Sequence, residues 1–113
     1  MLDKKQATNP SQKWKHPGGK MEKLGPETLT DAELLAVIIS SGTPQRPAKK
    51  IAEDIVQKFG SFRGISGQPY EEFEKIKGLG RVKTHRLAAA FEIATRIVDD
   101  ILKEYNLEVR KAI

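Results

Sequence analysis

The sequence predicts an all-α fold: a compact tandem of two helical hairpins, with four main helices, a short connector helix and a long C-terminal helix. Apolar residues recur at helical spacing in several long segments, and glycine or proline stands at the ends of most of them. Apart from the short tail at 106–110, no segment alternates apolar and polar residues as a half-buried strand does. The 113 residues suffice for one domain with one core.

The first main helix is predicted to begin at Thr30, because Glu33 stands three residues later and the two can form a capping box. The residues at 34–39 are apolar almost all round, which indicates a helix buried from several sides. Gly42 is expected to end this helix in a left-handed conformation. It should therefore lie at the centre of the helical cluster.

A second, amphipathic helix is predicted after Pro47, which suits the first helical position. Its apolar residues fall on one face, and Gly60 is expected to end it. The connector at 61–65 is short enough for a single helical turn, and Phe62 and Ile65 are predicted to fill part of the core.

Pro69 is predicted to start a third helix, in which Tyr70, Phe73 and Ile76 repeat every three residues. A long last helix follows. Its apolar residues have roughly heptad spacing: Leu87, Ala90, Phe91, Ala94, Ile97, Val98, Ile101, Leu102 and Tyr105. This stripe is expected to outrun the core, and it can pack either on its own domain or on a second copy in a homodimer.

The predicted domain organisation has three parts: a flexible N-terminal arm at 1–20, a folded domain at 21–98, and a helix extension or linker at 99–113. The arm contains Trp14 between two lysines. Docking of this side chain on the folded body is favoured over stacking on a base, since one aromatic residue among lysines is weak evidence for a stacking platform.

Composition narrows the class of protein. Twenty Lys and Arg against fifteen Asp and Glu give a net charge of +5 and a pI near 9.5, which favours polyanionic partners. The absence of cysteine excludes disulfides, thiolate zinc sites and cysteine nucleophiles. With no apolar run long enough to span a bilayer, we expect a cytoplasmic protein with no membrane partner.

The strongest functional motif is the glycine turn at 76–83, Ile-Lys-Gly-Leu-Gly-Arg-Val-Lys. The glycines permit a tight turn that a phosphate can approach, and the following helix begins there with free N–H groups and a positive dipole end. The predicted DNA-binding residues are Lys77, Gly78, Leu79, Gly80, Arg81, Val82, Lys83 and Thr84. The alternative is a plain glycine-rich turn with exposed charges.

A second phosphate-binding patch is predicted if the first hairpin mimics the second. It consists of Gly42, Thr43, Arg46, Lys49 and Lys50. A solvated basic face explains these residues equally well. His85 is interpreted as a solvated helix position rather than a phosphate contact, and the acidic run at 71–74 as the solvent-facing side of a helix.

The glycine turn resembles the helix-hairpin-helix motif, a sequence-independent DNA-binding element. The resemblance extends over about 16–98 to the N-terminal domain of RadC-like (UPF0758-type) DNA repair family proteins, with a RuvA domain 2-like fold. It is carried by His16-Pro-Gly-Gly-Lys20, Leu24-Gly-Pro-Glu27, the Leu29 to Ala36 string, Ser41-Gly-Thr43, Phe59-Gly-Ser61 and the glycine turn. It implies non-enzymatic DNA binding through the phosphate backbone, in repair or recombination.

One departure from that family bears on catalysis. The resemblance implies a second domain similar to JAB1/MPN metallopeptidases, yet this chain has only His16 and His85, far apart. Catalytic zinc usually needs three convergent protein ligands, so we expect no metal site, no cofactor and no enzymatic activity. A separate metallopeptidase-like or repair protein is a conceivable partner. The competing hypothesis is a protein-interaction or regulatory module that docks through the helical tandem and the apolar stripe.

Overall fold

The first folded element is a helix that the sequence analysis did not predict. The computed structural model describes residues 16–105, and α1 spans Pro17–Leu24. Residues 17–20, assigned above to a flexible arm, are therefore helical. Lys20 Nζ lies 2.9 Å from Glu33 Oε1, which ties α1 to the next helix. The rest of the predicted arm, including Trp14, lies outside the described residues.

Helix α2, Asp31–Ile39, follows a 3₁₀ turn at Pro26–Thr28 and begins as predicted. Both arms of the capping box are present. The Glu33 N–H donates to Thr30 Oγ1 at 3.1 Å, and the Thr30 N–H donates to Glu33 Oε1 at 2.9 Å. Two N–H groups at the helix start are thereby satisfied, so the local sequence alone defines where α2 begins.

The end of α2 differs from the prediction. Ser40, not Gly42, follows the last helical residue and takes the positive φ of 75°. Gly42 is needed for a different reason. A Cβ atom at this position would lie 2.0 Å from the Arg46 carbonyl oxygen and 2.6 Å from the Ala48 nitrogen. The chain therefore folds back over Gly42, which lets the α2–α3 loop close tightly.

Helix α3 spans Ala48–Phe59 and ends at Gly60, as predicted, although Pro47 precedes the helix instead of opening it. The connector contains α4, Phe62–Ile65, whose start is capped when Ser61 Oγ accepts a hydrogen bond from the Gly64 N–H. The predicted single turn in the connector is confirmed.

Helix α5, Tyr70–Glu74, is shorter than predicted, and α6 runs from Gly80 to Glu104. The segment at 75–79 forms the turn between them. Phe73 and Ile76 are buried, whereas Tyr70 is exposed. Only two of the three apolar residues in the period-three pattern thus face the core.

The core lies around α2, which packs against α1, α3 and α6. Its buried side chains come from α2 to α6 and from the turn at 75–79: Leu35, Ala36, Ile39, Ile51, Ala52, Ile55, Ile65, Phe73, Ile76, Leu79 and Leu87. Full burial of one large aliphatic side chain contributes roughly 1.5–3 kcal/mol, against about 0–1 kcal/mol for an exposed ion pair. Apolar burial therefore holds the helices together.

These elements confirm the all-α fold class with a long C-terminal helix. Between residues 16 and 105 the chain forms no strand, only an isolated bridge between Thr43 and Arg46. No helix in this range is long and apolar enough to span a membrane.

Candidate nucleic-acid interface

The turn between α5 and α6 is built around one buried side chain. Leu79 is fully buried, in the same core cluster as Ile51 and Ile76. Gly78 and Gly80 on either side have φ values of 86° and 71°. L-residues rarely adopt such angles, so the two glycines allow the chain to turn while Leu79 points inward. Leu79 thus anchors the hairpin from inside the core.

The two glycines serve different purposes. A Cβ atom on Gly78 would lie 3.0 Å from Ile51 Cδ1, because the turn packs directly on the start of α3. A Cβ atom on Gly80 would meet nothing within 4 Å. Gly78 therefore permits close packing inside the protein, whereas Gly80 leaves the outer side of the turn open. Only Gly80 offers the unobstructed backbone that was expected of both.

Helix α6 begins at this open side. No side chain caps its first turn, and the first turn contains no acidic residue. The N–H groups of a first helical turn lack partners within the helix, and the helix dipole makes this end positive. The arrangement suits an anion, and the nearest carboxylate in sequence, Glu74, lines the same cleft as Gly80 and Arg81.

Basic side chains surround the same point. Between Glu74 and Glu92 the chain has no carboxylate side chain. Lys77 and Arg81 are exposed and Lys83 is half-buried, and none of the three forms an ion pair with a residue in the described range. Arg86 differs, because its guanidinium points towards the end of α2, where it lies 3.4 Å from the Ile39 carbonyl oxygen.

Two predicted site residues have unexpected environments. Thr84 is buried, and its Oγ1 donates to the Gly80 carbonyl oxygen at 2.7 Å. The hydroxyl therefore donates within the helix and not to a ligand, although Thr84 was named among the predicted DNA-binding residues. Val82, by contrast, is 66% exposed. It can contribute only its backbone and an apolar contact.

The acidic run on α5 is partly neutralised. Glu72 forms ion pairs with Lys75 at 2.7 Å and with Lys58 at 3.4 Å. The hydrogen bond from Lys75 is the largest cause that lowers the pKa of the Glu72 carboxyl. His85 is exposed, and its ring packs against Tyr70 with 5.5 Å between centroids. His85 lines a cleft of about 410 Å³ together with Tyr70, Glu74, Gly80, Arg81 and Thr84.

The second predicted patch meets the hairpin at one residue. Arg46 Cδ lies 3.6 Å from the position of a Cβ atom on Gly78, so the arginine runs alongside the turn. Its guanidinium binds Asp54 through Nη2 and through Nε at 2.9 Å, and Lys50 Nζ lies 3.6 Å from the same carboxylate. The hydrogen bond from Arg46 is the main cause that lowers the pKa of Asp54.

The other members of the second patch lie elsewhere. Gly42 is covered by the backbone at 46–48, and Thr43 is bonded to Arg46 through two backbone hydrogen bonds. Gly42 and Lys49 line a separate cleft of about 580 Å³, beside the first residues of α1. The five residues predicted as one patch are therefore divided between the hairpin and this cleft.

Asp54 is the site residue that the sequence analysis missed. Its spacing from Lys50, four residues along α3, is the one signal that could have identified it, because residues four apart share a helix face. The pairing with Arg46 spans the end of a loop and has no such signature. No group of three His, Asp or Glu residues within 16–105 is placed to hold a metal ion.

Comparison with known proteins identifies relatives over most of the chain. The family model described as UPF0758 N-terminal matches residues 10–85. A UPF0758 protein of Carboxydothermus hydrogenoformans is 40% identical over 80 residues, covering 71% of this chain and 35% of the relative. One from Polaromonas is 38% identical over 91 residues, covering 80% of this chain and 41% of the relative.

A UPF0758 protein of Vibrio parahaemolyticus is 38% identical over 87 residues, covering 77% of this chain and 39% of the relative. The matched part of this chain thus corresponds to about a third to two-fifths of the length of these relatives. No solved structure matches the chain significantly.

Proposed function

The chain belongs to the UPF0758 N-terminal family, and we propose that this member binds DNA through the phosphate backbone, without reading base sequence and without catalysing a reaction. The observation that carries the proposal is the hairpin itself. The open, uncapped start of α6 coincides with Lys77, Arg81 and Lys83, none of which pairs with a described carboxylate.

In this proposal a phosphate oxygen accepts hydrogen bonds from the backbone N–H groups at the start of α6. Gly80 leaves room for that approach, while Arg81 and Lys83 supply charge. Leu79 acts from inside by holding the turn in shape. Phosphates carry no direct sequence information, so the affinity should be similar for unrelated sequences.

Arg46 extends the same binding surface. It lies beside Gly78, on the side of the turn that packs against α3. Helix α3 also begins without a side-chain cap or an acidic residue in its first turn. The first residues of α3 line the separate cleft beside α1, so the surface at the hairpin consists of the start of α6 and Arg46, which would allow contacts with more than one phosphate. A role in DNA repair or recombination is what the family resemblance suggests for this activity.

The decisive experiment is fluorescence anisotropy with labelled duplex, single-stranded and junction DNA over about 50–200 mM salt. If three phosphates are contacted, the affinity of the wild type should fall on the order of 40-fold over that range. An Arg81→Glu, Lys83→Glu double variant should lose most of this affinity.

The matched control is an Arg63→Glu, Lys103→Glu double variant, which changes the net charge equally at exposed positions outside the hairpin. It should bind nearly as well as the wild type. Equal losses in the two variants would mean that net charge, not the hairpin, causes binding. Absence of wild-type binding at low salt would reject the proposal and favour the protein-interaction hypothesis, which the exposed apolar residues of α6 support.

A further inference from the structure

The C-terminal half of α6 carries a row of exposed apolar side chains. Ile93, Ile97, Ile101 and Tyr105 are 62%, 54%, 47% and 69% exposed, and Val98 beside them is 48% exposed. These five residues are called the ridge. Four of them repeat every fourth residue, so they align along one side of the helix, the arrangement that packs into a groove of another helix pair.

An apolar groove adjoins the ridge. It has a volume of about 390 Å³ and is formed by α1, α2, α4 and α6, with Met21, Val37, Ile38 and Phe91 among its lining residues. Ala90 and Ala94 form its border on α6, and at helical spacing they share the ridge's side of that helix. A convex and a concave apolar surface therefore lie next to each other on one face of the protein.

We propose that two copies of the chain associate through this face, with the ridge of each copy in the groove of the other. The exposed fractions of the ridge correspond to on the order of 500 Å² per copy, which is as large as the largest apolar patch of a typical monomer. Two ridges alone would bury about 1,000 Å², the lower limit for a specific interface. Burial of the groove as well raises the area above that limit.

A second copy fits this face better than the segments at 1–15 and 106–113 do. Residues 1–15 contain only four apolar residues, Met1, Leu2, Ala7 and Trp14, among lysines and polar residues. Residues 106–113 place Leu107, Val109, Ala112 and Ile113 among charged and polar residues. Neither segment offers a long apolar row that could fill the groove, whereas the ridge of another copy does.

The consequence for DNA binding rests on the proposed function. Gly80 and Ile97 are 17 positions apart on one helix, or about 25 Å along its axis, so a partner at the ridge leaves the hairpin accessible. A dimer would present two hairpins, and engagement of both would raise the affinity for long DNA without any new contact.

Sedimentation analysis of the full chain from about 1 to 300 µM tests the association itself, without DNA. We expect the mass to double across this range, and Ile97→Glu to weaken association at least tenfold. Gln57→Glu is the matched control, because it adds the same charge at an exposed position on α3. A wild type that stays monomeric throughout, or a dimer that Ile97→Glu leaves intact, would overturn the proposal.

Cysteine cross-linking tests the ridge-in-groove arrangement, since the chain contains no cysteine of its own. A mixture of Ile101→Cys and Val37→Cys chains, one of them tagged, should give a mixed disulfide on oxidation. The mixture of Ile101→Cys with Gln57→Cys should not. Equal yields from both mixtures would reject the arrangement.

DNA titrations then separate this inference from the proposed function. The Ile97→Glu chain should bind long duplex at least tenfold more weakly than the wild type, with a shallower dependence on salt. Unchanged affinity in this monomeric variant would refute the paired-hairpin effect while the hairpin remains the DNA site. A wild-type dimer that binds no DNA would reject the proposed function and leave the interface standing.

Discussion

Asp54 neutralises part of the positive charge beside the hairpin. It neutralises Arg46, which runs alongside Gly78, and it also attracts Lys50. Replacing Asp54 with alanine removes the carboxylate that competes with phosphate for these two side chains. If the DNA footprint includes Arg46, we therefore expect Asp54→Ala to bind DNA more tightly than the wild type.

The size of the effect follows from counterion release. One additional phosphate contact makes the slope of log affinity against log salt concentration steeper by about 0.9. The gain in affinity from that contact is therefore about eightfold larger at 0.1 M salt than at 1 M salt. The fold should tolerate the change, because the Arg46 and Asp54 side chains are 26% and 21% exposed. A partly exposed ion pair contributes about 1 kcal/mol or less to the free energy of unfolding.

The assay is the anisotropy titration described above, repeated at several salt concentrations. Glu53→Ala is the control, since Glu53 is the exposed neighbour on the same helix and forms no ion pair with a described residue. It makes the same change in net charge. Equal affinities and slopes for Asp54→Ala and Glu53→Ala would refute the argument that Arg46 belongs to the proposed DNA-binding surface.

Two further predictions concern stability. Gly42→Ala should lower the free energy of unfolding by more than about 2 kcal/mol, because its Cβ would lie 2.0 Å from the Arg46 carbonyl oxygen. Gly60→Ala should cost about 1 kcal/mol, because position 60 faces open space and the alanine only has to adopt a φ of 88°. Equal losses of unfolding free energy for the two variants in urea would contradict this explanation. Burial raises the pKa of Glu33, but the Thr30 N–H and Lys20 outweigh it and lower the pKa below 4.5. Stability from this carboxylate is therefore present above pH 4.5 and is lost as the pH falls through its folded pKa, so Glu33→Gln should flatten the acid limb of a stability–pH curve. An acid limb of the same steepness in both proteins would exclude Glu33 as a contributor.

Local chemistry explains which parts of the fold could be predicted from sequence. The capping box at Thr30 and Glu33 and the stop at Gly60 depend on neighbouring residues only, and both occur where the pattern places them. The glycine turn around Leu79 could likewise be predicted, because its two positive φ angles favour glycine. The hairpin could thus be located without knowledge of the tertiary structure.

Tertiary contacts explain what the sequence did not reveal. Helix α1 contains Gly18 and Gly19, which disfavour a helix, and its link to α2 is made by Lys20 with Glu33, thirteen positions away. The separation of Lys49 from Arg46 depends on how the α2–α3 loop folds over Gly42. The burial of Thr84 depends on which side of α6 faces the core, and a short basic segment gave no indication of that.

Because α6 is continuous, it fixes the orientation of the ridge relative to the hairpin. The helix is unbroken from Gly80 to Glu104, and each residue of an α-helix turns the chain by about 100°. One residue inserted after Thr95 would swing most of the ridge about 100° around the helix axis relative to the hairpin, while an insertion of seven residues would nearly restore its orientation. The number of residues between the hairpin and the ridge therefore determines the angle between whatever binds at each, so length changes in this stretch would alter geometry without altering either surface.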